Sequence, residues 1–274
     1  KLFGVFKEGD LSLRGATQST RKIVPPVTLA ATNSASTNPG GSFKYVTWIA
    51  NGSFTIGNGP VNVNYLLVGG GASGARQNGG GSNGTPSTAL GLTAYGGGSG
   101  RWYQAGVSYD GYGASGGGGG GGGSPATSLG NKVTGTNTDI AAPLSPQGNN
   151  GGTAPTVYGG AGGGGAGAAG GNAPGNSSHT AGGIGAAAMS GDANFPTSYG
   201  TAGPSPGRWF AAGGGGSGGN PNGSAPAQPV GGGGAGINQN PGGTAGNAVA
   251  NTGSGGGAYT ASTGGGSGGG GAGG

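Results

Sequence analysis

Apolar and polar positions alternate most cleanly between residues 43 and 68. Phe43, Tyr45, Thr47 and Ile49 fall on one face of an extended run, and Asn51-Gly52 follows as a favoured two-residue hairpin turn. Ser53 to Ile56 leads back, Gly57-Asn58-Gly59-Pro60 turns again, and Val61, Val63, Tyr65 and Leu67 alternate once more. A period of two over such lengths predicts a three-stranded β-meander across 43–68. Upstream, Leu2, Phe3, Val5 and Phe6 make an apolar opening, Lys7-Glu8-Gly9-Asp10 suggests a turn, and Leu11 and Leu13 alternate briefly. Pro25-Pro26 then holds the backbone extended. Residues 1–42 are too few to bury a core of their own, so they are expected to form an attachment arm that packs on another body.

Beyond residue 68 the alternation gives way to glycine. Of 82 glycines, 74 lie in 69–274, gathered in runs such as 69–71, 96–98, 116–123, 162–165, 213–216, 231–234 and 255–257. Inserts rich in Asn, Ser, Thr, Pro and Ala separate them. Leu, Ile, Val and Phe total only 34 of 274 residues, too little bulk for an ordinary hydrophobic core. Interior glycine costs about 1 kcal/mol against alanine in a helix, so essentially no α-helix is expected. Disorder is the usual outcome of such a composition, but disordered chains tend to be strongly charged, and only 5% of these residues are. Collagen requires glycine at every third position, which the eight consecutive glycines of 116–123 break. Calcium-binding β-rolls need a repeated Asp, and only Asp110, Asp139 and Asp192 occur after residue 50. What survives is a bundle of extended threefold polyglycine II helices, rising about 3.1 Å per residue and lacking internal hydrogen bonds. Their amides must then pair with neighbouring helices. The fold class expected is mostly irregular or all-β: an arm (1–42), a short N-terminal β-meander (43–68), and a polyglycine II bundle (69–274) with loops at its ends.

Charge and cysteine content narrow the function. The net charge is +5, of which residues 1–50 carry +4; four cations scattered over the remaining 224 residues make no basic face for nucleic acid. The absence of cysteine removes disulfides and thiolate metal sites. The longest apolar stretch falls far short of the roughly 18 residues of a membrane span, so no membrane insertion is expected.

The passage Tyr45-Val46-Thr47-Trp48-Ile49-Ala50-Asn51-Gly52-Ser53-Phe54-Thr55-Ile56, followed by Val61-Asn62-Val63-Asn64-Tyr65-Leu66-Leu67-Val68-Gly69-Gly70-Gly71, resembles the opening of glycine-rich domains in bacteriophage tail-fibre and virion proteins. There a short β-unit ending in Leu-Val-Gly-Gly-Gly leads into glycine runs. The later alternation is similar to the polyglycine II sandwich of the tail-fibre-tip adhesins of T-even-like phages, whose variable loops bind bacterial surface receptors. The resemblance covers residues 43–274, while 1–42 match no attachment domain of that family. It implies a non-enzymatic phage protein on the virion surface. Residues 1–68 would contact other virion proteins of fibre, baseplate or capsid, the loops would contact a bacterial surface protein or polysaccharide, and a homotrimer would fit. The rival readings are a structural fibre or capsid-decoration protein without a receptor role, and an ice-binding protein, since some of those also bundle glycine helices.

Arg101-Trp102-Tyr103-Gln104-Ala105-Gly106 and Arg208-Trp209-Phe210-Ala211-Ala212-Gly213 share the pattern Arg-Trp-aromatic-x-Ala-Gly. As exposed loops they would offer rings for stacking and Arg as a hydrogen-bonding anchor; as structure they would cap the ends of a slab that has few other large side chains. Tyr109 and Tyr112, and Phe195 and Tyr199 in Asn194-Phe195-Pro196-Thr197-Ser198-Tyr199, lie in longer inserts whose Tyr, Ser, Gly and Asn content is that of adaptable binding loops. His179, the only histidine, reads as a solvated loop residue without catalytic or metal-binding company. Asp110, Asp139 and Asp192 have no context marking them as a glycosidase pair. Gly-x-Gly-x-x-Gly matches carry no information in glycine runs. No catalytic residue, metal or cofactor is expected.

Overall fold

The computed structural model describes residues 28–32, 36–40, 43–57, 63–75, 81–100, 103–104, 107–108, 112–113, 131–132, 147–153, 160–175, 179–188, 195–217, 227–237 and 244–259. Among these there is no helix, and every strand is short. The first four strands are β1 (Thr28–Thr32), β2 (Ser36–Gly40), β3 (Phe43–Thr47) and β4 (Ser53–Gly57). β3 and β4 form where the alternation predicts them, but they do not pair with each other. β3 pairs antiparallel with β2, from Ser36↔Thr47 to Gly40↔Phe43, and β4 pairs antiparallel with β1, from Thr28↔Gly57 to Thr32↔Ser53. The expected meander is thereby corrected. The first pairing therefore joins β3 to the strand before it, and Asn51-Gly52 does not link two paired strands. Nor does the third predicted strand form over its described part. Residues 63–68 belong to no ladder, and Val63, Tyr65 and Leu66 are exposed. Alternation reports that a segment can be a half-buried strand, and a strand still needs a partner edge.

The chain divides into two compact units, one of residues 1–32 and 52–64, the other of 33–51 and 65–274. The first contains the β1–β4 ladder; the second contains the β2–β3 ladder and the glycine runs. Later strands are two or three residues long. β5 (Ser87–Ala89) and β6 (Leu92–Ala94) form a hairpin, as do β7 (Tyr103–Gln104) and β8 (Val107–Ser108). β9 (Tyr112–Gly113) pairs with β10 (Asn131–Lys132) in parallel, and β11 (Ala186–Ala188) with β12 (Arg208–Phe210) antiparallel.

Backbone hydrogen bonds between glycine runs recur every third residue. The run 254–259 shows this most fully. Gly255 and Ala258 donate to Ala212 and Gly215 (2.9 and 2.8 Å), Gly256 and Tyr259 to Ala72 and Ala75 (2.9 Å each), and Gly257 to Gly246 (3.0 Å). Successive amides therefore address three different neighbours before returning to the first. A strand would return after two. The same step joins Gly70 and Ser73 to Thr85 and Ser82, Gly84 and Gly81 to Gly97 and Gly100, and Gly97 and Gly100 back to Gly70 and Ser73, so that three runs close a cycle. Close approach explains why glycine is needed: a Cβ at Gly84 would lie on the Gly70 carbonyl, and one at Gly257 on the Ala235 carbonyl.

The buried apolar residues described are Ala72, Ala75, Ala161, Ala173, Ala212, Ala245 and Ala258, with Trp209, Phe210 and Tyr259 as the large ones. Where a run ends, side chains replace peptide groups. The Gln147 amide accepts from the Tyr95 N–H (2.9 Å) and donates to the Thr93 carbonyl (2.7 Å), and the Oδ1 atoms of Asn83 and Asn172 accept from the N–H groups of Ser99 and Thr153 (2.8 Å each). Buried amides must be paired, and these inserts supply the partners that the runs lack at their edges.

Candidate functional site

The best-defined insert among the described residues is the loop 195–207, which ends in β12. Register places Ala186 opposite Phe210, Ala187 opposite Trp209 and Ala188 opposite Arg208. On its other side Trp209 exchanges two backbone bonds with Thr201, each 2.9 Å, so the loop folds back along the strand. The loop is tied to the glycine runs through the Gly231 N–H, which donates to Thr201 Oγ1 (3.0 Å), and through the Ala211 N–H, which donates to the Thr252 carbonyl (2.8 Å).

Arg208 holds the turn itself. Its Nε donates to the Tyr199 carbonyl (2.8 Å), and its Nη2 to the carbonyls of Thr197 (2.8 Å) and Gly200 (2.7 Å). Charge-assisted bonds from a planar guanidinium fix the directions of three peptide groups at once. Gly200 sits at φ +63° against the Phe210 ring, a conformation that favours glycine. At Gly203 the backbone lies over the Trp209 indole, where any side chain would strike the ring. Phe195 stands edge-on between Phe210 (6.3 Å) and Tyr45 (6.4 Å), an arrangement that suits aromatic quadrupoles.

The rings of the loop therefore face inward. Trp209 is 8% and Phe210 6% exposed, while Phe195, Tyr199 and Arg208 are half-buried. As exposed stacking platforms Trp209 and Phe210 are corrected: covering by residues 200–207 gives them the packing role that their sequence also allowed. Likewise, Arg208 spends its bonds on its own loop instead of offering them outward. The exposed groups are Thr197, Ser198 and residues 202–206, with the sequence Ala-Gly-Pro-Ser-Pro. Thr197 and Ser198 fall in the insert the sequence marked, whereas residues 202–206 were not singled out, although Gly203 and Gly207 bracketing Pro204-Ser205-Pro206 were a visible turn signal.

Of the other candidates, Arg101, Trp102 and Tyr109 lie outside the described residues, as do Asp110, Asp139 and Asp192. Tyr103 lies in β7 and Tyr112 in β9. His179, expected in a solvated loop, is half-buried and forms a parallel bridge with Gly160. Among the described residues no cluster of three His, Cys, Asp or Glu could hold a metal ion. A cavity lined by Ala72, Gly164, Ala212, Gly213 and Gly256 measures about 10 Å³, room for one water at most. No family model, curated protein or solved structure matches the chain.

Proposed function

We propose that the glycine-rich part is a polyglycine II bundle, and that it serves as the rigid scaffold of a non-enzymatic phage tail-fibre or fibre-tip adhesin. The three-residue step of the backbone bonds in 254–259 supports the scaffold, since a threefold helix turns successive amides toward three sides. The observation that carries the adhesin reading is the loop 195–207, anchored on its inner side and open at its tip. Residues 1–68 would join it to other virion proteins, and the loops would meet the host cell surface. Replacing the exposed tip residues Thr197, Ser198, Ala202 and Ser205 together should change attachment of the particle to its host cells while leaving the chain folded; unchanged attachment would sink the reading.

The burial of Trp209 and Phe210 favours a second reading, in which the loops only cap the scaffold of a fibre shaft or capsid decoration. A copy number matching the capsid lattice would establish that alternative.

A further inference from the structure

We propose that Asn51-Gly52 is a site of spontaneous covalent modification, at which the folded chain selectively converts asparagine to aspartate or isoaspartate. The chemistry is independent of what the loops bind.

The reaction needs a backbone nitrogen that can reach the side chain before it. The Gly52 nitrogen gives its proton to hydroxide and attacks Cγ of Asn51. The new C–N bond closes a five-membered succinimide, the Cγ–Nδ2 bond breaks, and Nδ2 takes a proton from water and leaves as ammonia. Water then opens the ring at one carbonyl or the other. The sum is asparagine plus water to a carboxylic acid plus ammonia, with no change of oxidation state. Glycine in second place favours the attack because no Cβ crowds the approach, and asparagine counts among the thermolabile residues.

Six Asn-Gly pairs occur in the sequence, and those at 51, 83 and 150 are described. The fold treats the three differently. Residues 49–53 are all exposed, Asn51 and Gly52 lie in no strand, and the Gly52 N–H makes no backbone hydrogen bond among the described residues. At the second pair the nucleophile is tied. The Gly84 N–H donates to the Gly97 carbonyl (2.8 Å), and Asn83 Oδ1 accepts from the Ser99 N–H (2.8 Å). At the third, the Asn150 carbonyl accepts from the Gly170 N–H (3.0 Å), and Gly151 is buried. Attack by Gly84 or Gly151 must first loosen a packed glycine run; attack by Gly52 need not.

The modified bond lies between β3 and β4, which pair with β2 and β1 and not with each other. Isoaspartate lengthens the backbone there by one methylene, and neither ladder takes its register from that link. Each conversion adds a carboxylate, ionised at neutral pH, and lowers the net charge of +5 by one. The chain thus records its age as charge while both ladders persist.

The test holds the full folded chain in warm, mildly alkaline buffer and follows each site by peptide mass spectrometry. An isoaspartyl methyltransferase with a labelled methyl donor counts isoaspartate. Asn51 should convert about tenfold faster than Asn83 and Asn150, the factor that one held hydrogen bond can add to a barrier. Unfolding in urea should bring the three sites to similar rates. Gly52 is not among the glycines of positive φ, so alanine suits its backbone, and Gly52→Ala should slow conversion at 51 about tenfold. The aged chain should keep the parent's melting temperature. Equal rates at the three sites in the folded chain overturn selection by the fold. Conversion at 51 in urea alone overturns the site, and an unchanged rate in Gly52→Ala overturns the succinimide route. A melting temperature that falls as isoaspartate accumulates at 51 overturns the independence of the ladders. Should Gly52→Ala fail to fold, Asn51→Gln carries the same comparison, because its longer side chain must close a six-membered ring.

Discussion

The run 254–259 and the loop 195–207 lie in one compact unit and are held by opposite means. In the run, backbone bonds to backbone, and it does so on three sides because side chains are missing. In the loop, side chains add to the backbone pair of Thr201 and Trp209: Arg208 gathers carbonyls, the Thr201 hydroxyl takes an amide, and Trp209 and Phe210 fill the space beneath. Adding an atom should damage the first, and removing one should damage the second. The contrast shows how a chain poor in apolar bulk can still be ordered. Each net backbone hydrogen bond contributes about 0.5–1.5 kcal/mol against roughly 1–2 kcal/mol of backbone entropy per residue, so order requires nearly complete pairing.

The largest effect should come from Gly257→Ala. A Cβ there would lie on the Ala235 carbonyl, and backbone cannot rotate aside as a side chain can. We expect a loss of about 4 kcal/mol or more, comparable to severe overpacking, read as a large fall in melting temperature. The control lies two residues away. Gly255 is three residues before Ala258, one full step of the hydrogen-bond pattern, and both donate to the same neighbouring run; a Cβ at 255 meets nothing nearer than the Gly214 nitrogen at 3.1 Å. Gly255→Ala should cost within about 1 kcal/mol, partly offset by the lower entropy of the unfolded chain. Equal losses at the two positions would refute the threefold step.

Ser254→Ala should come next. Its hydroxyl is fully buried, accepts from the Ala212 N–H (3.0 Å) and donates to the Gly231 carbonyl (2.5 Å). Alanine would leave two peptide groups unpaired, at a cost of about 2–3 kcal/mol. This serine behaves as the loop does, although it sits in the run, so the experiment blurs the comparison if the loss is small and sharpens it if the loss is as expected.

How much of this was legible depended on whether the deciding contact was local. The absence of helix among the described residues followed from glycine content, and β3 and β4 followed from alternation and fell where expected. Their pairing did not, because β3 and β4 each take a partner from β1 and β2, in a stretch where no strand was expected. The glycine runs marked where backbones approach, but which run meets which is set by contacts such as Tyr259 to Ala75, far apart in the chain. At the loop, Arg208, Trp209 and Phe210 were visible as a motif, whereas their inward direction was not. That direction depends on Gly200 and Gly203 letting residues 200–207 lie over the rings, and composition does not distinguish a ring that caps from a ring that is capped.

The smallest expected effect probes the end of the run. Tyr259 is fully buried beside Ala245 and Ile237, its N–H bonds to the Ala75 carbonyl, and its hydroxyl has no hydrogen-bond partner among the described residues. The backbone of this residue thus follows the rule of the run, while its side chain breaks the rule that buried polar atoms are paired. Tyr259→Phe keeps the ring and its packing and removes only the unpaired oxygen, so it should stabilise the chain by about 1 kcal/mol, seen as a small rise in melting temperature. Tyr259→Ala would instead open a cavity the size of the ring and destabilise by about 3–5 kcal/mol, as large-to-small core changes do. If phenylalanine destabilises as well, the hydroxyl has a partner that matters, and the end of the run is held by side chains in the manner of the loop.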